Sequence, residues 1–207
     1  MRVKEKFAKK LLVEGNDDQH VVWALCEKFN IEETFDVIDC EGVDNLLNQL
    51  PVRFKQSGIA VIGIIIDADS DISARWQSLS PLLSSLGYTV PPVLPDKGLI
   101  IRHNEITIGV WIMPNNLLAG MIEDFIKFLI PEDDQLLGIA NGTLNIIESE
   151  DLNKYRIPHK SKALIHTWLA WQEDPGTPMG SSITKRYLTT DTEICNTFIE
   201  WLTALFN

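Results

Sequence analysis

Residues 59–71 read IAVIGIIIDADSD, and this stretch constrains the fold more than any other. From Ile59 to Ile66 there are seven apolar side chains and one glycine. So continuous an apolar run is a strand buried on both faces, as in a parallel sheet with helices on either side. The run ends in Asp67, Asp69 and Asp71, three carboxylates at alternate positions. Like charges this close raise one another's pKa and oppose folding unless something positive sits among them.

The flanking segments supply the rest of such a sheet. KKLLVEG reads as a short buried strand ending at Glu14-Gly15, and NDDQHVVWALCEKF as the helix after it. Asp17 and Asp18 fall in that helix's first turn, where the dipole favours acids. FDVIDC is a further strand, followed by the helix VDNLLNQLPVRFK, which Pro51 bends or shortens. SARWQSLSPLLSSLG is helical and closed by Gly87. GLIIRHNEITIGVWIM reads as two strands joined at His103-Asn104-Glu105, an antiparallel hairpin, and GMIEDFIKFLI as a helix closed by Pro131. Beyond it every periodic segment is helical. The expectation is an α/β fold: a mostly parallel, Rossmann-like sheet with one antiparallel hairpin over residues 1–130, and a helical C-terminal extension over 131–207 packed on it as one compact unit.

Composition narrows the partners. No segment reaches the roughly 20 apolar residues that span a bilayer, so no membrane is expected. The opening MRVKEKFAKKLLVEG has lysines but no apolar core followed by small residues, and no signal peptide is expected. The three cysteines, Cys26, Cys40 and Cys195, are scattered and suit a reducing cytoplasm. The four histidines show no zinc spacing. The net charge is −11, so contact with nucleic acid must come through a local patch, bound cations or a partner protein.

In open α/β sheets ligands bind beyond the carboxyl ends of the strands. If the first and third strands are neighbours, Glu14, Asp67 and Asp69 converge there, the two aspartates sharing a face if the backbone stays extended past Ile66. Carboxylates and water suit a hard cation, Mg²⁺ or Mn²⁺. The alternatives for DADSD fit less of the chain. An EF-hand needs glycine and glutamate where Ile72 and Ser78 stand. A haloacid-dehalogenase phosphatase or a nucleotide-sugar glycosyltransferase leaves Glu14-Gly15 unexplained. A purely structural reading makes Asp71 the N-cap of the next helix.

LLVEGNDD followed about fifty residues later by IIIDADSD resembles the Toprim domain, whose pattern is an apolar strand ending in Glu-Gly and another ending in Asp-x-Asp. That fold is shared by topoisomerases, bacterial primases, ribosomal-RNA maturases and the overcoming-lysogenization-defect (OLD) nucleases. The likeness covers roughly residues 8–130. GMIEDFI and HTWLAWQEDPGTPMG are further similar to small stand-alone bacterial Toprim-like proteins of unknown function. The resemblance implies metal-dependent phosphodiester chemistry on DNA or RNA. Asp67 and Asp69 would hold Mg²⁺ or Mn²⁺, and Glu14 would join them or move a proton. By analogy with the OLD nucleases, Glu123 would be an extra acid, and Lys160 and Lys162 would face a scissile phosphate. Asp71 would bind metal or face water. Tyr88, Tyr155 and Tyr187 sit in no context matching a topoisomerase nucleophile, and 207 residues do not hold the further polymerising and zinc-bearing apparatus of a primase, which leaves hydrolysis. The competing expectation is a catalytically silent Toprim-like binding or regulatory protein in a bacterial defence or repair system. Glu123 and Asp124 would then be a solvated helix face, and Trp168, Trp171 and Trp201 read as core in either case.

Overall fold

The computed structural model describes residues 5–207, so the first four residues of the expected N-terminal unit and of the opening segment lie outside the described residues. The elements run β1 (Lys9–Val13), α1 (Asn16–Lys28), β2 (Asp36–Asp39), α2 (Val43–Arg53), β3 (Val61–Asp67), α3 (Ile72–Ser85), β4 (Leu99–His103) and β5 (Ile106–Met113). Then come α4 (Ile122–Phe128), α5 (Gln135–Ser149), a 3₁₀ turn (Ile157–His159), α6 (Lys160–Ala170), α7 (Met179–Thr184) and α8 (Glu193–Phe206). The five strands are ordered β2-β1-β3-β5-β4, parallel throughout except where β4 runs antiparallel to β5. This is the expected α/β class, a mostly parallel sheet with one antiparallel pair and C-terminal helices.

Strand side chains alternate between faces, so β1 and β3 split their apolar residues between two cores. Leu12, Ile62, Ile64 and Ile66 join Leu46 and Leu50 of α2 and Trp76, Leu79 and Leu83 of α3. Leu11, Val13 and Ile65 face α1, α4, α6, α7 and α8. The C-terminal helices and α1 therefore cover one side of the sheet together. Phe198, Trp201 and Leu205 of α8 are buried there, and Phe206 stacks on Phe35 with ring centroids 3.9 Å apart. Register pairs Gly63 of β3 with Gly109 of β5; a Cβ at Gly109 would collide with Leu205, and one at Gly63 would collide with Leu11 and crowd Leu205 and Phe206. The two glycines let α8 sit close on the sheet.

Pro51 lies within α2 and Pro81 within α3, and one local expectation is corrected. Trp168 and Trp201 are core, but Trp171 is 40% exposed, because α6 ends at Ala170 and carries the next residue out of the packed face. Among the described residues no helix is long and apolar enough to cross a membrane.

Candidate metal centre

β1 and β3 are parallel neighbours with Val13 opposite Ile65, so the residues leaving both strands emerge at one edge. Glu14 leaves β1 there, and its Oε2 accepts the backbone N–H of Asp67 at 3.2 Å. Asp67 Oδ1 in turn accepts the N–H of Ile122 at 3.0 Å, tying the end of β3 to the start of α4. Of the three strand-end acids expected to converge, Glu14 and Asp67 are joined by the backbone hydrogen bond from the Asp67 N–H.

Asp18 joins them. It lies on the first turn of α1, where its Oδ2 accepts the Gly15 N–H at 3.1 Å. Its Oδ1 is buried without any partner, a condition otherwise found among the described residues only for the indole nitrogens of Trp111 and Trp168. A buried carboxylate oxygen with no partner is costly. Burial first, and then the charge of Glu14, pushes the Asp18 carboxyl up to about 7, with Glu123 adding to the effect. Burial also lifts Asp67 well above the ordinary carboxylate value, followed by the charges of Asp18, Glu14, Glu123 and Asp69. Glu14 is raised mainly by burial, partly offset by the Asp67 N–H and by Arg75. These acids share one electrostatic neighbourhood that is short of positive charge.

Several expected site residues are placed differently. The backbone does not stay extended past Ile66: Asp69 has φ 53° and is held by paired backbone hydrogen bonds to Gly120, of 2.9 and 2.7 Å. That twist turns its carboxylate outward onto Arg75, whose Nε also donates to the Asp67 carbonyl at 2.7 Å. Asp69 therefore does not share a face with Asp67. Asp71 caps α3, its Oδ1 accepting from Ser73 and Ala74 at 2.8 and 3.1 Å, so the capping reading describes it rather than the ligand reading. Lys160 is drawn away to Asn145 and Glu148 of α5, at 2.8 and 2.6 Å. Lys162 does face the acids, 3.5 Å from Glu123 and 4.0 Å from Asp17. Glu123 is buried rather than solvated, whereas Asp124 is taken up by Met121 N–H and Ser161 Oγ.

Glu14, Asp67 and Asp69 do not form a tight ligand trio among the described residues. The three side chains with donor atoms that do lie within 4.8 Å of one another are Asp17, Glu123 and His166. Sequence reasoning missed Asp18, Arg75 and His166. The spacing Glu14-Gly15-x-x-Asp18 was the available signal for the first, since a first-turn acid lies directly above the strand end that feeds its helix. Nothing local marks the other two.

A family model described as "Protein of unknown function (DUF3226)" matches residues 8–207. No curated protein and no solved structure matches the chain. A match over nearly the whole length settles membership: the chain belongs to the DUF3226 family.

Proposed function

We propose that the protein is a divalent-cation-dependent phosphodiesterase acting on nucleic acid through a Toprim-like acidic site. The observation that carries this reading is the buried, partnerless Oδ1 of Asp18, whose carboxyl is raised by the charge of Glu14 and in turn raises Asp67. Oxygen donors with raised proton affinity and too few cations fit a hard dication, which converts mutual repulsion into shared ligation. Glu14, Asp18 and Asp67 would hold Mg²⁺ or Mn²⁺. Bound there, such an ion supplies Lewis-acid polarisation of a phosphate oxygen and a more acidic water. The chain's own groups do the rest. Arg75 fixes the Asp67 carbonyl and keeps Asp69 out of the cluster. Ile122 N–H orients the Asp67 carboxylate. Lys162, half exposed beside Glu123, is available to a phosphate arriving from solvent. The Toprim likeness of Glu14-Gly15 and Asp67-Ala68-Asp69 supports the same chemistry.

The net charge of −11 favours a second reading, a silent Toprim-like protein that binds or regulates a partner in a bacterial defence or repair system. Incubation with labelled single- and double-stranded DNA and RNA, in Mn²⁺ and then in EDTA, separates the two. Cleavage is expected with Mn²⁺, lost in EDTA, and reduced at least about a hundredfold in Asp67→Asn, since even outer-shell changes at metal sites cost 10–100-fold. Absence of any cleavage that needs both the ion and Asp67 rejects the enzyme and leaves the binding reading.

A further inference from the structure

β2 is an edge strand: it pairs with β1, and no strand among the described residues lies along its other side. The Cys40 N–H donates to the Val13 carbonyl at 3.0 Å. Backbone groups of successive strand residues point to opposite edges, so Val37 and Asp39 direct theirs away from β1. Gln19 closes one of these groups, its Nε2 donating to the Val37 carbonyl at 2.7 Å. The Val37 N–H and both backbone groups of Asp39 face outward, and a free edge of this kind is a template for another extended chain. Two cavities flank it. On the α1 side, one of about 290 Å³ is walled by Trp23, Ile31, Phe35 and Val37, with Trp23 40% exposed. On the α2 side, one of about 790 Å³ is walled by carboxamides, Asn45, Asn48 and Gln49 among them, and again by Val37. Exposed acids rim both, Glu27 and Glu32 the first and Glu41 the second, with Asp39 half-buried beside it. The cations on the rim already face acids: Lys6 lies 3.7 Å from Glu33, and Arg53 donates to Glu5.

We propose that the β2 edge docks an extended, cationic segment of a partner protein, added to the sheet as one further strand. Side chains of an added strand alternate between the two faces. One set enters the cavity beside Trp23 and is apolar. The other enters the carboxamide-walled cavity and ends near Asp39 and Glu41, which select Lys or Arg. Main-chain bonds to Val37 and Asp39 supply affinity, and the two cavities supply specificity. Charge decides against the other occupants. A nucleic acid would bring phosphates to an acid-rimmed groove, and a second copy of this chain would set the same acids against one another. The surface includes none of Glu14, Asp18 and Asp67, so the proposal goes beyond the phosphodiesterase reading and does not depend on it.

Calorimetry of the full chain with a blocked peptide alternating isoleucine and lysine tests it. A length of about six residues spans β2 at roughly 3.3 Å per residue. One-to-one binding is expected, weakening as salt screens the acids. Two further peptides carry N-methyl groups on the isoleucines or on the lysines and keep every charge. One of the two loses its bonds to β2 and is expected to bind at least about tenfold more weakly. Trp23→Ser, and Glu32→Lys combined with Glu41→Lys, change exposed residues only, and each is expected to weaken binding about tenfold. Asp67→Asn is expected to leave the affinity unchanged, so a failure of the nuclease reading does not touch this result. No binding of the parent peptide overturns the proposal. Parent-like affinity in both methylated peptides overturns it as well, by showing attraction without a strand. Unchanged affinity in Trp23→Ser or in the charge-reversed variant overturns it by placing the peptide elsewhere.

Discussion

The two ends of the sheet hold the same kinds of residue and treat them in opposite ways. At the amino ends of β1 and β2, Asp36 is buried against Lys10 Nζ at 2.7 Å and accepts the N–H groups of Lys6 and Phe7. Glu5 completes the group, 3.1 Å from Lys10 and 2.6 Å from Arg53. Burial alone would raise both acids, but hydrogen bonds from Arg53 and Lys10 to Glu5, and from Lys10 and the two backbone groups to Asp36, hold them below the ordinary carboxylate value. At the carboxyl ends of β1 and β3 the acids are more deeply buried, and Glu14, Asp18 and Asp67 are all raised, by burial first and then by one another's charge. The two ends differ in depth of burial and in the cation. An acid with a structural role is folded together with its counter-charge, whereas the strand-end acids lack one of their own. The fold tolerates them there because it is held elsewhere.

The largest test of this contrast removes the cation from the satisfied end. Lys10→Met strands Asp36 in a buried position, and breaking a buried pair from one side costs about 3–5 kcal/mol. For a chain of this size that is a fall in melting temperature of roughly 6–20 °C. The mirror change at the other end has the opposite sign. Asp18→Asn deletes a charge where none was compensated, so it raises the melting temperature of the ion-free protein by a few degrees while weakening Mn²⁺ binding. Scanning calorimetry in EDTA reads both. A destabilised Asp18→Asn would mean that its charge is already balanced and would erase the contrast.

The pH dependence sharpens the same comparison at a smaller scale. Glu5 and Asp36 have folded-state values below their unfolded ones, so their contribution is present above the unfolded pKa and is lost as pH falls through the folded pKa. Asp18 runs the other way, from 3.8 unfolded to about 7 folded. Between those values the folded protein keeps a proton that the unfolded chain has released, so stability falls as pH rises, and the loss is complete above about 7. Ion-free protein is therefore expected to melt several degrees higher at pH 5 than at pH 7.5. Saturating Mn²⁺ should flatten the profile, because an ion bound only by the folded state stabilises it most where the acids are charged. A profile that climbs from pH 5 to 7.5 in EDTA would place the cluster's acids at ordinary values.

What could be read from the amino-acid sequence follows the range of the forces involved. The apolar runs ending at Val13 and Ile66 define strands by local pattern, and the pattern of alternating elements makes them parallel neighbours, so Glu14 and Asp67 could be paired before any coordinates. Asp69 could not be placed the same way. Its left-handed backbone answers to Gly120, fifty-one residues away, and its side chain to Arg75 on the following helix. Lys160 and Lys162 are two residues apart and indistinguishable in sequence, but α6 directs one to Glu148 and the other to Glu123. The grouping of Asp17, Glu123 and His166 depends on the packing of three helices and leaves no trace in spacing. Short-range periodicity was legible; whatever depends on how one helix faces another was not.

Asp71 offers the smallest effect and the cleanest separation of scaffold from site. Its Oδ1 accepts from two N–H groups at the start of α3, and the side chain is exposed to solvent on its other side. Losing such a cap costs about 1 kcal/mol, or roughly 2–4 °C in melting temperature at this chain length. Asp71→Ala should therefore destabilise the protein slightly and leave its affinity for Mn²⁺ as it was, whereas Asp71→Asn, which keeps an accepting oxygen, should be close to neutral in both. The two acids are four residues apart in one strand-end run, yet Asp67→Asn is expected to move affinity and Asp71→Ala only stability. A tenfold loss of Mn²⁺ affinity in Asp71→Ala would return that carboxylate to the ligand set, and the centre would then extend from the strand end onto the first turn of α3.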